Sequence, residues 1–344
     1  MIRFGKSSRG LAEIKNDFFE NNAALLEDAR AQAVTYRQQP RREACKNCDQ
    51  SLRGTKFEQH LVEYVICERC EHLNGAYQDT DEFCEAIYVA DGGESFAGSY
   101  REIDAAALEQ RLSFVYRPKR DFLFDALREA DYDPAQLKYS ELGSGSGYFL
   151  KTLSEAGVED FVGHEVAATQ VEFAKSLVGE AHIRHHGLGD NLDIIADLTC
   201  EVLVMLGVLE HIQNPREILD AIRKNNNIKF LFLVVPTFSP SVYFEASFEN
   251  IMPRVLTGGH THLYTNRSLH WIAEEFELTR VAEWWFGTDI FDLFRSVGIT
   301  LSSGDRKTEL SSLWGEMFPD VIDDLQLVLD KRRLSSQAHI LFSV

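Results

Sequence analysis

The stretch Tyr139-Ser140-Glu141-Leu142-Gly143-Ser144-Gly145-Ser146-Gly147-Tyr148-Phe149-Leu150 decides the fold. A short apolar strand runs into a glycine-rich turn, and the turn opens a helix. Glycine lets a backbone turn tightly and approach a ligand closely. A dinucleotide-binding fingerprint would put its third glycine five residues after the first, a place held by Tyr148. Here the third glycine is Gly147, four residues after Gly143, and Glu141 stands two residues before that first glycine.

Outward from this turn, strand and helix patterns alternate. Strands are predicted at 137–142, 160–165, 182–186, 201–206 and 228–235, with helices at about 147–156, 168–178 and 215–225. Such alternation implies βαβ units and a parallel sheet covered on both faces. Further strands fit at 278–286 and 338–344, with helical patterns around 289–298 and 308–332 between them. The second strand ends in Glu165, 22 residues after Gly143. An acid there can accept both hydroxyls of a ribose, as in dinucleotide folds. The fourth strand leads into Leu206-Gly207-Val208-Leu209-Glu210-His211-Ile212-Gln213-Asn214-Pro215.

The form E-x-G-x-G-x-G resembles motif I of class I methyltransferases that use S-adenosylmethionine (SAM), and Val208–Pro215, at the end of the stretch from Glu201, resembles that family's vLEHi-x-x-P segment. The resemblance implies an α/β fold with a Rossmann-like seven-stranded sheet. It implies SAM contacts from Glu141, Gly143, Ser144, Gly145, Gly147, Glu165 and Leu206. SAM carries no pyrophosphate. It needs close backbone approach and an acceptor for its ammonium, not an anion cradle.

Six cysteines occur, and four form the pairs Cys45-x-x-Cys48 and Cys67-x-x-Cys70 with 18 residues between the pairs. Two such knuckles supply four thiolates to a tetrahedron, which suits structural zinc and leaves no open coordination position. Cys84 and Cys200 are singles with no assigned role. The expected organisation is a helical segment over 1–40, a zinc-ribbon module over 41–76, a helical lead-in over 77–136, and the SAM-binding domain over 137–344 with a helical insertion at about 288–335. In the first segment the helical pattern runs over 11–39 from Leu11 and Ile14, and Pro40 breaks it.

The formal net charge is −19. That weighs against a nucleic-acid partner, because phosphate binding draws its energy from basic surface. Met1–Gly10 is polar and basic without an apolar core region, and no apolar run reaches the length of a bilayer span. A cytoplasmic chain with a small-molecule acceptor is the expectation.

A zinc ribbon ahead of a class I methyltransferase resembles the sugar methyltransferases of deoxysugar and surface-polysaccharide pathways, over roughly residues 41–286. The implied activity is methylation of a sugar or nucleotide-linked sugar at oxygen or carbon. In the sugar C-methyltransferases a Glu-His pair takes part in deprotonation, with a tyrosine two positions before the glutamate. Val208 stands at that position here, a departure from the C-methylation pattern. His211 is the leading base, although many methyltransferases keep this pair as a packed structural feature. Thr257-Gly258-Gly259-His260-Thr261-His262-Leu263-Tyr264-Thr265 resembles a loop of polysaccharide-linked methyltransferases, which adds His260 and His262 as candidates. Two rival readings stand beside this one. RNA-base methylation fits some zinc-bearing relatives, but no N/D-P-P-Y/F motif follows the fourth strand. The other rival is a SAM-binding pseudoenzyme whose ribbon recruits a partner.

Overall fold

The computed structural model describes residues 1–8, 17–93, 104–256, 260–303 and 308–344. The expected helical positions Leu11 and Ile14 and the loop residues Thr257, Gly258 and Gly259 lie outside them.

Among the described residues twelve strands form two sheets. In chain order they are β1 (Ile2–Phe4), β2 (Gly54–Gln59), β3 (Val62–Cys67), β4 (Leu73–Gly75), β5 (Tyr139–Leu142), β6 (Phe161–Glu165), β7 (Ile183–His185), β8 (Val202–Leu206), β9 (Phe230–Pro236), β10 (His262–Leu263), β11 (Thr279–Phe286) and β12 (Gln337–Ser343). The large sheet has the order β1-β11-β12-β9-β8-β5-β6-β7. All its neighbours are parallel except β12, which runs antiparallel to both β9 and β11.

Seven of these strands make the sheet expected from sequence. The eighth, β1, lies within the stretch read as an N-terminal helical segment and pairs with the β11 edge, Phe4 opposite Trp285. The indole N–H of Trp284 donates to the Gly5 carbonyl at 2.9 Å and secures that edge. Three residues are too few to show a strand period, so the sequence pattern could not reveal β1.

Strand β9 shows why the sheet is buried on both faces. Phe230, Phe232 and Val234 pack on one side with Phe122, Phe149 and Trp284. Leu231, Leu233 and Val235 pack on the other with Leu203, Leu219 and Trp285. A continuous apolar strand of this kind needs helices on both faces. The helices Arg117–Glu129 and Tyr148–Glu155 cover the first face, and Pro215–Lys224 and Asn266–Glu275 the second. Pro215 opens its helix where a missing N–H costs nothing. Thr265 caps Asn266–Glu275 by accepting from Ser268 N at 3.0 Å.

The chain leaves β5 for β6 and β7 on one side and returns as β8 on the other. Strand order reverses between β5 and β8, and open α/β sheets bind ligands at the carboxyl ends of the strands at such a point. The small sheet, β10-β4-β3-β2, holds the cysteine segment. Its fourth strand, β10, comes from residues that follow β9, so the small sheet joins segments far apart in the chain. The helix Asn22–Arg37 leans on this sheet through Tyr36, whose hydroxyl donates to the Tyr77 carbonyl at 2.6 Å. Among the described residues no helix is long and apolar enough to cross a membrane.

Candidate active site and cysteine centre

The loop after β5 takes positive φ at Gly143 (+69°) and Gly145 (+53°), which side-chain-bearing residues rarely adopt. Space is short as well, most firmly at Gly143. A Cβ on Gly143 would lie 2.5 Å from Val208 Cγ2, and one on Gly145 would lie 2.7 Å from Gln170 Oε1. The loop is pinned to the neighbouring strand, since Gly143 N and Ser144 N donate to the His164 carbonyl at 2.8 and 3.0 Å.

Glu165, at the end of β6, accepts from Gly145 N at 2.7 Å through Oε2 and from Val166 N and Ala167 N at 2.9 and 2.8 Å through Oε1. Its first task is thus to hold the glycine loop. A carboxylate offers about four lone-pair sites, so room for a further donor remains.

Glu141 is buried, and its Oε2 has no hydrogen-bond partner. Burial, with Glu165 nearby, holds its carboxyl well above the usual range, and Lys119 only partly opposes this. The hydroxyls of Ser144 and Ser146 in the loop, and of Ser140 before it, are also buried without partners. Orphaned acceptors around a cradle too tight for a Cβ fit a ligand that presents an ammonium and hydroxyls.

The carboxyl end of β8 borders the same crevice. Leu206 is half-buried there, and Gly207 turns the chain at φ +69°. Glu210 and His211 follow. Glu210 is 2% exposed, its Oε2 is unpartnered, and burial pushes its carboxyl up to about 8. Glu210 Oε1 lies 4.0 Å from His211 Nε2. His211 Nδ1 lies 2.9 Å from the Tyr88 hydroxyl, with which it shares a hydrogen bond. The His260 ring stands 5.1 Å from the His211 ring, centroid to centroid. His260 Nδ1 donates to the Val255 carbonyl at 2.9 Å, which turns Nε2 into the acceptor nitrogen. Burial brings His260 down to about 4, so it is neutral at physiological pH.

Three of the residues expected to do chemistry therefore separate. Glu210, His211 and His260 offer ligand or proton-accepting atoms all within 4.8 Å of one another. His262 does not join them. It sits on β10, fully buried, with Nδ1 2.9 Å from His72 Nε2. The expectation that it faces the acceptor is corrected, because pairing of β10 with β4 turns it into the ribbon interface. Two residues the sequence reading missed line the site. Tyr88 arrives from the helix Asp81–Tyr88, and Lys119 from the start of Arg117–Glu129. Neither stands in a motif, since each is positioned by packing of distant segments.

The four cysteines are buried and free of disulfides. Cys45 Sγ lies 3.7 Å from Cys70 Sγ, and Cys48 Sγ lies 3.7 Å from Cys67 Sγ. Four sulfurs bonded to one ion at roughly 2.3 Å in a tetrahedron are about 3.8 Å apart, so the cluster is shaped to hold such an ion. Asn74 donates its amide to Cys45 Sγ at 3.4 Å and accepts from Lys46 N at 2.9 Å, tying the first knuckle to β4. The knuckles rest on the catalytic portion through Asn47, whose amide donates to the Ser268 carbonyl at 3.2 Å.

A family described as a methyltransferase domain matches residues 113–283. Among solved structures the chain is similar to magnesium protoporphyrin IX methyltransferase from Synechocystis PCC 6803 with bound SAH. The two share 13% identity at a TM-score of 0.42, over 58% of this chain and 90% of that one. It is also similar to a putative sarcosine dimethylglycine methyltransferase from Galdieria sulphuraria (13% identity, TM-score 0.43, 76% of this chain and 98% of that one). A SAM-dependent methyltransferase from Archaeoglobus fulgidus shares 16% identity at a TM-score of 0.40, over 70% of this chain and 100% of that one. No curated protein matches the chain. The fold, the glycine loop and the family match define a methyltransferase. The matched residues hold β5 to β10 and the glycine loop that follows β5.

Proposed function

We propose that the chain methylates a sugar or a nucleotide-linked sugar, with His211 and His260 at the acceptor and a structural zinc ion on Cys45, Cys48, Cys67 and Cys70. The observation that carries this reading is the convergence of Glu210, His211 and His260 beyond β8, beside the glycine loop. Bound SAM would supply an electrophilic methyl group on a sulfonium, together with the leaving group. Gly143, Gly145 and Gly147 would hold it by close backbone approach, with Ser144 and Leu206 lining the loop and the β8 end. Glu141 would accept from its ammonium, and Glu165 from its ribose.

The protein's own chemical task is to align the acceptor and remove a proton. His211 is suited to this role. Its Nδ1 is held by Tyr88, and its Nε2 looks toward Glu210. A proton accepted at Nε2 would make an imidazolium beside the Glu210 carboxyl. His260 is an acceptor through Nε2 and orients a hydroxyl beside this pair. The net charge of −19 supports a small-molecule acceptor over nucleic acid.

The test is calorimetry with S-adenosylhomocysteine followed by transfer assays with labelled SAM on a panel of nucleotide sugars. Glu165→Ala should weaken binding of the homocysteine product. His211→Ala should lower turnover about 10²- to 10⁴-fold while leaving that binding nearly intact. Undiminished turnover in His211→Ala would remove the base assignment, and methylation of RNA but no sugar would remove the acceptor class.

A further inference from the structure

Glu245 is buried on the helix Pro240–Ser247, which follows β9. A carboxylate in such a place needs donors, and it finds three in the backbone that leads toward His260. Its Oε1 accepts from Arg254 N at 2.8 Å and from Val255 N at 2.7 Å, and its Oε2 accepts from Leu256 N at 3.1 Å. Three consecutive N–H groups on one carboxylate fix the orientation of the peptides that carry them. The Arg254 side chain secures the same stretch, with Nε donating to Asp292 Oδ1 at 2.9 Å and Nη2 donating to Asp292 Oδ2 at 2.6 Å.

The fixed stretch sets what His260 can do. The Val255 carbonyl accepts from His260 Nδ1 at 2.9 Å. That carbonyl and the Leu256 N–H belong to one planar peptide, so Glu245 grips one end of the group and His260 bonds to the other. The partner of one imidazole nitrogen decides which nitrogen carries the proton. With Nδ1 protonated, Nε2 keeps its lone pair. Next along the chain the Thr261 carbonyl accepts from Gly75 N at 2.7 Å, so the small sheet holds the backbone beside His260. What remains to be fixed is the imidazole, half-buried and 5.1 Å from the His211 ring.

We propose that Glu245 is a positioning residue of the transfer site. By fixing the Val255–Leu256 peptide it holds His260 in the tautomer that presents Nε2 to the methyl acceptor. The proposal rests on the reading of His260 as the group that orients the acceptor hydroxyl. Without Glu245 the peptide is free to rotate and the Val255 carbonyl leaves Nδ1. The proton then moves to Nε2, which becomes a donor and no longer accepts from a hydroxyl.

The experiment is long-range proton–nitrogen correlation spectroscopy of the full chain with isotope-labelled histidines at neutral pH. The two tautomers give different correlation patterns, and the His260 signals are those lost in His260→Gln. The wild type should show His260 protonated on Nδ1. Glu245→Ala should move it to the Nε2-protonated form or to a mixture of the two. Glu245→Gln keeps the side-chain shape but sets an amide against at least one of the three backbone donors. It should shift the signal the same way, and it decides the matter if Glu245→Ala does not fold. With a nucleotide sugar that the wild type methylates, Glu245→Ala should lower kcat/KM for the sugar about 10- to 10²-fold and leave KM for SAM unchanged. A wild-type His260 protonated on Nε2 overturns the proposal. So does a folded Glu245 variant whose His260 signal is unaltered, even if it melts lower, because Glu245 would then serve the fold alone. If the signals shift as expected but His260→Gln methylates that sugar as fast as the wild type, the acceptor role given to His260 fails, and the hold of Glu245 on its tautomer stands.

Discussion

Glu210 carries a consequence for stability as well as for chemistry. A glutamate in an unfolded chain titrates near 4.3, whereas burial here pushes Glu210 up to about 8. Between those values the folded chain keeps a proton that the unfolded chain has lost. Its contribution is therefore complete below about 4.3 and declines as pH rises, until the folded group also ionises near 8. Glu210→Gln keeps the neutral shape and removes this slope. The melting temperature of Glu210→Gln should fall less steeply from pH 5 to 8 than that of the wild type, and should exceed it at pH 8. Glu141, raised in the same direction, keeps part of the slope in both proteins. Parallel curves would mean that Glu210 is ionised in the fold. At this scale the glycine loop was legible because its three glycines answer a local backbone demand. Tyr88 and Lys119 were not, because Tyr88 meets His211 across 123 residues of chain and Lys119 meets Glu141 only through helix packing.

Among the elements, the cysteine cluster was the most readable from sequence, since the spacing within each C-x-x-C pair is a local constraint. The fourth strand of the sheet that holds it was hidden. β10 has two residues, and a two-residue strand has no period. The helical stretch read over 308–332 also divides, into Thr308–Met317 and Ile322–Asp330, where Pro319 begins a separate turn. The cysteine geometry leads to a prediction at this scale. Protein purified without chelator should contain one zinc ion per chain by elemental analysis. Cys67→Ser should lose most of it and melt several degrees lower, because a structural metal contributes folding energy directly. A metal-free wild type, or a disulfide between the two pairs, would remove zinc from the account.

Taken whole, the chain has no clean seam between ribbon and catalytic layer. Pairing of β10 with β4 runs across it. So do the Arg216 guanidinium donating to the Asn47 carbonyl at 2.8 Å and the Gln213 amide donating to the Asp79 carbonyl at 2.8 Å. Tyr88, which follows the ribbon, reaches His211 in the site. Strand order could not be read from the alternating pattern, because order is set by long-range packing that leaves no local period. A ribbon of this size buries too little apolar surface to stand alone. A zinc ion on the four cysteines and the docking of this segment would therefore stabilise one another. Scanning calorimetry of the intact protein should accordingly show the ribbon and catalytic layer melting in one transition. Chelation should move that transition down as a unit, and it should weaken S-adenosylhomocysteine binding in the same titration series. Two separated transitions, with only the lower one sensitive to chelator, would show instead that the shared strand and the contacts at Asn47 and Asp79 contribute little. The ribbon would then be an appended module, and Tyr88 would hold His211 without help from the metal.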